Sequence, residues 1–520
     1  MNSIVSKIDN RKKNSLKDSI VSYENIYNAI YSLESYVFEK GLLDCVNPVI
    51  GTSDNIIAKN DLELFYALGD KYNSKLILEV IQACEKRLNE ILDTEKKVLF
   101  GISVYFKMKK VEENRLIYRP MHSARLIDMI CMVCILAKLM YDDSDGIRHL
   151  SELSKLIPHN FYGNLPSTDV KFLFKNWKNQ YKSFSDDVVQ HCRTYQNSHR
   201  YLTEVCLDIQ NFFPTVSPKY LYNLIVNKLS ATFGSENNGK GGNGDIETLK
   251  VAIAKLLYFD IDKAYLESWA DEYYIDKTEN ISDFYMNCGI PQGLPQSYFF
   301  GNLCMLAVRK EMMRKEIFEG DAYFYVDDSV IYIKSELDKS EFYKRIAQLN
   351  KSLEGLFDAN DDEDCDVYNF LPANCKKFQE NLIYKVHFHK EGKSSCSYID
   401  DADNHLEGIE NIPREISNAG GMFWSLDDID DSISFKKLCA IKMVVDAEIQ
   451  RLKKKENDSK ARKSQMKEKD ISRLKWLKRY KKYFLYRVNL FRLKTESNSG
   501  EKMMEDFIQK IKDEENKYKK

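Results

Sequence analysis

The sequence predicts an α+β chain, and three observations carry that expectation. Apolar residues recur at helical spacing through the first hundred positions, short β-type runs alternate with helical ones in the middle, and the region from 435 onward is basic with helical period. At 520 residues the chain has room for two to four structural units. With 43% hydrophobic and 30% charged residues it can fill a core, which excludes global disorder.

In order along the chain, Tyr23, Ile26, Ile30 and Leu33 mark one face of a first helix, and Leu76, Ile77, Val80 and Ile81 mark another. Residues 98–106 and 115–118 read as strands, followed by an apolar helix around Ile130. The longest apolar stretch, 126–141, contains Asp128 and Lys138 and is too short to span a bilayer. A turn in 157–164 (IPHNFYGN) leads to an aromatic helix holding Phe172, Phe174 and Trp177. Val205, Cys206 and Leu207 form a short buried strand ending in Asp208, and a helix follows Pro218 with Leu221, Leu224 and Ile225 on its apolar face. Residues 234–244 (GSENNGKGGNG) read as a flexible surface loop, since the lysine lacks the following Ser or Thr of a phosphate loop. Residues 323–326 and 330–333 are β-type runs joined by Asp327, Asp328 and Ser329, a hairpin signal, and 358–366 is an acidic loop.

The 77 Lys and Arg against 79 Asp and Glu leave a formal charge of −2, which excludes a uniformly basic nucleic-acid coat. That balance hides a segregated charge. Residues 435–494 carry 21 Lys and Arg against 6 Asp and Glu, a local +15 that leaves −17 on the rest. Within it Lys475, Lys478, Arg479, Lys481 and Lys482 interleave with Trp476, Tyr480, Tyr483 and Tyr486. Cations for phosphates and rings for stacking suit a nucleic-acid surface, against the plainer reading of a solvated charged helix. The 12 scattered cysteines, and a polar start without an apolar signal core, point to reduced thiols in a cytoplasmic protein with no membrane segment. Cys131-x-x-Cys134 lacks a second pair for zinc, and His387-x-His389 reads as structural.

Three segments carry the chemistry. In 207–213 (LDIQNFF), Asp208 ends a buried strand, where a carboxylate is costly unless it is paired, holds a cation or caps the next helix. In 289–297 (GIPQGLPQS), glycine and proline shape a rigid loop running into a helix through Phe299, Leu303 and Leu306. In 325–328 (YVDD), adjacent carboxylates repel and so need a neutralising partner, unless the pair is a solvated turn. One chemistry accounts for all three: Asp208, Asp327 and Asp328 holding two Mg²⁺ ions about 3.5–4 Å apart for in-line phosphoryl transfer.

In order and content these segments resemble motifs A, B and C of reverse transcriptases, over roughly residues 100–400. The resemblance implies a right-hand polymerase fold: a helical N-terminal region (1–100), fingers (101–200), a palm (201–425) and a basic, thumb-like nucleic-acid-binding region (430–520). It makes Asp208, Asp327, Asp328 and the Ile209 carbonyl the metal ligands. Phe213 takes the place of the steric gate that excludes a ribose 2′-OH, and Gln292 and Gly293 contact the incoming nucleotide and template base. Lys393, in 389–394 (HKEGKS), resembles the general acid toward pyrophosphate, and Arg119, or Arg125 in its stead, the fingers arginine near the triphosphate.

Neither a maturase, a Cys/His endonuclease nor an RNase H carboxylate set accompanies these motifs. The 157–164 run and the Trp177, Tyr181, Phe184 helix are similar to bacterial abortive-infection and defence-associated (unknown-group) reverse transcriptases. That likeness implies antiphage defence, homo-oligomers, and DNA synthesis from dNTPs that is either protein-primed or copies a dedicated noncoding RNA template. Two rival readings stand beside it: template-independent, terminal-transferase-like synthesis, and a catalytically silent RNA-binding scaffold.

Overall fold

Helices open the chain where apolar residues return every three or four positions. The computed structural model describes residues 15–40, 61–68, 74–112, 115–143, 147–235, 242–261, 288–314, 316–358, 365–375, 384–389 and 394–401. Beyond these it describes Ile449, residues 452–457, Ile471 and Leu474, and structural statements refer to the described residues. Contacts divide the chain into two units, residues 1–39 with 49–406 and residues 40–48 with 407–520. The described positions of the second unit are helical.

In the first unit α1 (Leu16–Val21) is capped by Ser15, whose hydroxyl accepts the Asp18 N–H at 3.1 Å. Then come α2 (Tyr23–Lys40), α3 (Asp61–Leu68) and α4 (Ser74–Ile91). Ile26, Ile30 and Leu33 are buried as expected, and so are Leu76, Ile77, Val80 and Ile81. Tyr23 is not: it is 55% exposed and stacks on Tyr27 instead of entering the core.

The expected strands are longer than their sequence signals. β1 (Gly101–Glu112) and β2 (Arg115–Ala124) form an antiparallel hairpin with a register shift between Met108 and Lys110. α5 (Leu126–Met140) is apolar but for Asp128 and Lys138 and is correspondingly buried on nearly every side. Short strands β3 (Tyr141–Asp142), β4 (His149–Leu150) and β5 (Phe161–Tyr162) follow. The aromatic helix α6 (Trp177–Ser198) begins later than the spacing of Phe172 and Phe174 suggested. Those two precede it, because the chain folds back there: Lys175 N–H donates to Leu165 O at 2.8 Å and Ser167 N–H to Leu173 O at 3.3 Å.

β6 (Thr203–Asp208) leads through the single turn α7 (Phe212–Thr215) into α8 (Pro218–Ser235) and α9 (Gly242–Leu257). The two ends of the glycine-rich stretch are helical, since Gly234 and Ser235 close α8 and residues 242–244 open α9, and 236–241 lie outside the described residues. β7 (Asp260–Ile261) and α10 (Pro295–Met312) precede the hairpin β8 (Gly320–Tyr325) and β9 (Asp328–Ile333), and α11 (Lys339–Asp358) and β10 (Ser395–Tyr398) follow it. At the end of the acidic stretch, Asp366 is engaged by Lys250 and by the Tyr222 hydroxyl at 2.7 Å.

Two sheets organise the unit. The first has the order β2-β1-β7, with β7 parallel to β1, the second has the order β10-β6-β9-β8-β5, antiparallel except for the β5–β8 edge, and β3 and β4 form a separate antiparallel pair. One face of the five-stranded sheet packs on α6, where Phe184, Val188, Cys192 and Tyr195 meet Tyr323, Val330 and Tyr332. This is an α+β architecture. Among the described residues, no helix is long and apolar enough to cross a membrane.

Candidate active site

The acidic residues gather because two strands end at the same level. β6 pairs with β9 from Thr203↔Ile333 to Asp208↔Asp328, so the last residue of one strand faces the first of the other. Directly opposed residues lie on the same sheet face with Cα atoms about 4.5–5.5 Å apart. Asp208 is half-buried and Asp328 exposed.

The turn differs from the one expected. Tyr325 pairs with Asp328, so the connection is the two residues Val326 and Asp327, and Asp328 and Ser329 belong to β9. Asp327 stands half-buried in the turn beside the Asp208–Asp328 pair. Val326 has φ +58°, a left-handed conformation that costs a β-branched residue about 1–2 kcal/mol. Such strain persists only where the surroundings hold it. On the α6 side the Tyr325 ring meets Tyr181 at 4.9 Å and Phe184 at 5.7 Å.

The other edge of β6 is held by the 387–389 segment, whose histidine pair reads as structural in the sequence. His389 N–H donates to Asp208 O at 3.0 Å, and Gln210 N–H to His387 O at 2.8 Å, flanking an isolated bridge of Ile209 with Phe388. Because Asp208 and Gln210 make the bonds on that side, strand alternation turns the Ile209 carbonyl toward the Asp327 side. The Asp208 N–H also donates to Ser394 Oγ at 3.4 Å. α11 supports the segment: Asn350 bonds both backbone groups of Phe388, and Glu354 takes His387 Nε2 at 2.8 Å, so His387 is structural.

The glycine–proline loop docks onto the residues following Asp208. Gly289 has φ +69°, and a Cβ there would lie 2.1 Å from the Phe213 carbonyl oxygen, so only glycine fits. Ile290 N–H donates to that same oxygen at 3.0 Å. Ser297 Oγ closes the loop onto Pro291 O at 2.7 Å. Gln292 is half-buried, and its carbonyl accepts the His122 N–H at 2.7 Å, joining the loop to β2. Gly293, at φ +112°, would place a Cβ 2.9 Å from His122 O, and its own carbonyl accepts the Tyr36 hydroxyl at 2.9 Å. Phe213 is 7% exposed, packed edge-on against Phe212 and Tyr298.

The structure thus brings together Asp208, Ile209, Asp327 and Asp328, and ties Gln292 and Gly293 to Phe213 through the loop. Arg119 lies on β2 opposite Lys107, and its side chain is outside the described residues. Lys393, Lys475, Lys478, Arg479, Lys481 and Lys482 also lie outside them. Arg125, the competitor of Arg119, is committed to Asp61 at 2.9 Å. His122 and Tyr36 escaped the sequence reading because they act on backbone atoms, whereas His387 and His389 read there as structural.

Titration follows burial around the site. Burial first, then Glu204, pushes the Cys206 thiol well up, and burial pushes Cys192 to about 11. Burial does the same to Cys131 and Cys134 on α5, which keeps them protonated and poor metal ligands. Among the described residues, Asp208, Asp327 and Asp328 included, no three or more His, Cys, Asp or Glu stand together as a group that could hold a metal ion by itself. Two opposed carboxylates with a third in the adjoining turn and a backbone carbonyl turned toward them fit Mg²⁺, which takes one or two carboxylates and completes its shell with water and substrate phosphates. No protein-family model matches this chain, and no curated protein is significantly similar to it.

Proposed function

We propose that this protein is a Mg²⁺-dependent RNA-directed DNA polymerase with a right-hand polymerase fold, acting in bacterial antiphage defence. The observation that carries the reading is the cross-strand pairing of Asp208 with Asp328 beside Asp327. The defence role rests on the sequence resemblance alone.

In this reading Asp208, Asp327, Asp328 and the Ile209 carbonyl hold Mg²⁺, which supplies charge neutralisation for attack of a 3′-hydroxyl, or a protein hydroxyl, on a dNTP α-phosphate with loss of pyrophosphate. The Phe213 ring, fixed by Tyr298 and the Gly289 approach, blocks a ribose 2′-OH. The Gln292–Gly293 backbone, pinned by His122 and Tyr36, shapes the floor under the base pair. Arg119 meets the triphosphate, Lys393 protonates the pyrophosphate, and the basic C-terminal region grips the RNA template and DNA product.

The test is sequencing of the nucleic acid that co-purifies with the wild type and with Asp327→Asn/Asp328→Asn. DNA found only with wild type and complementary to a co-purified RNA is the expected result. Low-complexity DNA matching no RNA would replace templated synthesis by terminal-transferase-like synthesis. RNA alone, unchanged by the substitutions, would leave a binding scaffold.

A further inference from the structure

The strained turn that carries Asp327 is gripped from outside the hairpin, by the 157–164 run that the catalytic reading does not use. β5 lies parallel on β8 with Phe161 opposite Phe324 and Tyr162 opposite Tyr325. Phe324 N–H donates to Asn160 O at 3.0 Å, the Asn160 amide donates to Ala322 O at 2.7 Å, and the Phe161 and Phe324 rings stack at 4.7 Å. At the turn itself, Gly163 has φ +82°, and a Cβ there would lie 3.0 Å from Val326 Cγ2 and 3.1 Å from Tyr325 Cε2. The space a side chain would fill at 163 is occupied by Val326. Asn164, 2% exposed, is itself left-handed at φ +53°. Both carbonyls of this bend are held by one side chain: Asn302 Nδ2 donates to Gly163 O at 3.1 Å and to Asn164 O at 3.3 Å. Asn302 is fully buried on α10, the helix that starts from the glycine–proline loop.

We propose that residues 160–164 form a positioning clamp, locked by Asn302, that holds Val326 in its left-handed conformation and so sets Asp327 against Asp208 for divalent-cation binding. Left to itself, a two-residue turn with valine at the left-handed position relaxes, because glycine is the residue that adopts it without strain. The clamp opposes that relaxation from two sides, by the Gly163 surface under Val326 and by the amide that fixes the bend's carbonyls. Since Asn302 sits on α10, the same contact ties the glycine–proline loop to the acidic hairpin. The proposal rests on the polymerase reading for its purpose, but its geometry does not.

The experiment is a double-mutant cycle on the full chain, combining Gly163→Ala and Asn302→Leu each with Val326→Gly. Mn²⁺ binding is read from the paramagnetic resonance of free ion, beside the Mg²⁺ dependence of dNTP incorporation. Each clamp substitution should weaken Mn²⁺ binding about tenfold with Val326 present, the scale of a lost support to a metal ligand. With glycine at 326 the turn needs no clamp, and the loss should shrink to about twofold or less. Equal losses in both backgrounds, or no loss in either, would overturn the clamp. A wild type that binds Mn²⁺ through Asp208 yet incorporates no dNTP would sink the polymerase reading while the cycle still judges the clamp. No Asp208-dependent Mn²⁺ binding at all would sink both.

Discussion

Two acidic clusters in this protein are built on opposite plans. In the helical layer Asp128 is met by Arg87, whose Nε lies at 2.7 Å and whose Nη2 lies at 3.3 Å, and it accepts the Gly101 N–H at 3.2 Å. Asp61, with no exposure, takes Arg125 Nε and the Leu126 N–H on one oxygen, capping α5 from α3. At the end of the five-stranded sheet the ladder sets Asp208 against Asp328 and adds Asp327 in the turn. One plan neutralises acid with base from the same chain and serves stability. The other sets Asp208 opposite Asp328 with Asp327 in the adjoining turn, and a strained valine stands next to them. Under the polymerase proposal, a strained residue beside opposed carboxylates at one sheet end is the arrangement a cation site calls for rather than a structural cluster.

That contrast can be broken by substitution. Asp128→Ala should have the largest effect on stability, about 3–5 kcal/mol, because it takes from the half-buried Arg87 its main carboxylate and leaves it Glu90 and the Leu99 carbonyl. Thermal melting would show it, and the activity per folded molecule should stay within about twofold. Loss of activity without loss of stability would erase the distinction between the clusters. A third buried charge sharpens it. Lys255, 2% exposed, donates to Phe370 O at 2.6 Å, and burial pulls its ammonium down to about 8. The unfolded lysine titrates near 10.4, so between these values the unfolded chain holds a proton that the folded chain has released. Wild-type stability, relative to Lys255→Met, should therefore rise as pH goes from 8 to about 10.4, with the full burial cost present below 8. Denaturant titrations at pH 7 and pH 10 should show the methionine variant ahead at pH 7 by roughly 2 kcal/mol and that lead reduced at pH 10. The smallest effect is the most telling. Asp208→Asn should leave stability unchanged or raise it by up to about 1 kcal/mol, since it removes a carboxylate facing another. A marked fall in melting temperature would make Asp208 a structural acid after all.

The parts of this site that were legible in the sequence are those where chemistry dictates residue type. Two aspartates at strand ends and one in the turn between strands, and glycines where backbone meets backbone, leave a pattern; Gly289, 2.1 Å from Phe213 O by its would-be Cβ, admits nothing else. The turn was placed one residue late because aspartate is a common turn former and a left-handed valine is not. Supports that bond backbone atoms left no pattern: Tyr36 reaches Gly293 O across 257 residues and Tyr384 reaches Gly289 N across 95, and a carbonyl or N–H places no demand on its own side chain. The same holds for Phe172 and Phe174, whose spacing suits a helix but whose backbone pairs with 165–167. Glycines near 234 and 242 looked like loop and proved to be helix ends, where Asp245 in the first turn of α9 accepts the Leu16 N–H at 2.8 Å.

The most direct measurement is incorporation of labelled dNTPs by the full-length protein with its co-purified nucleic acid, in Mg²⁺, beside Asp208→Asn. If the acidic sheet end is a polymerase centre, wild type incorporates dNTPs, a chelator stops it, and the asparagine variant falls about a thousandfold at equal folded fraction. Equal incorporation by the two proteins, or RNA binding by wild type with no incorporation, would contradict it.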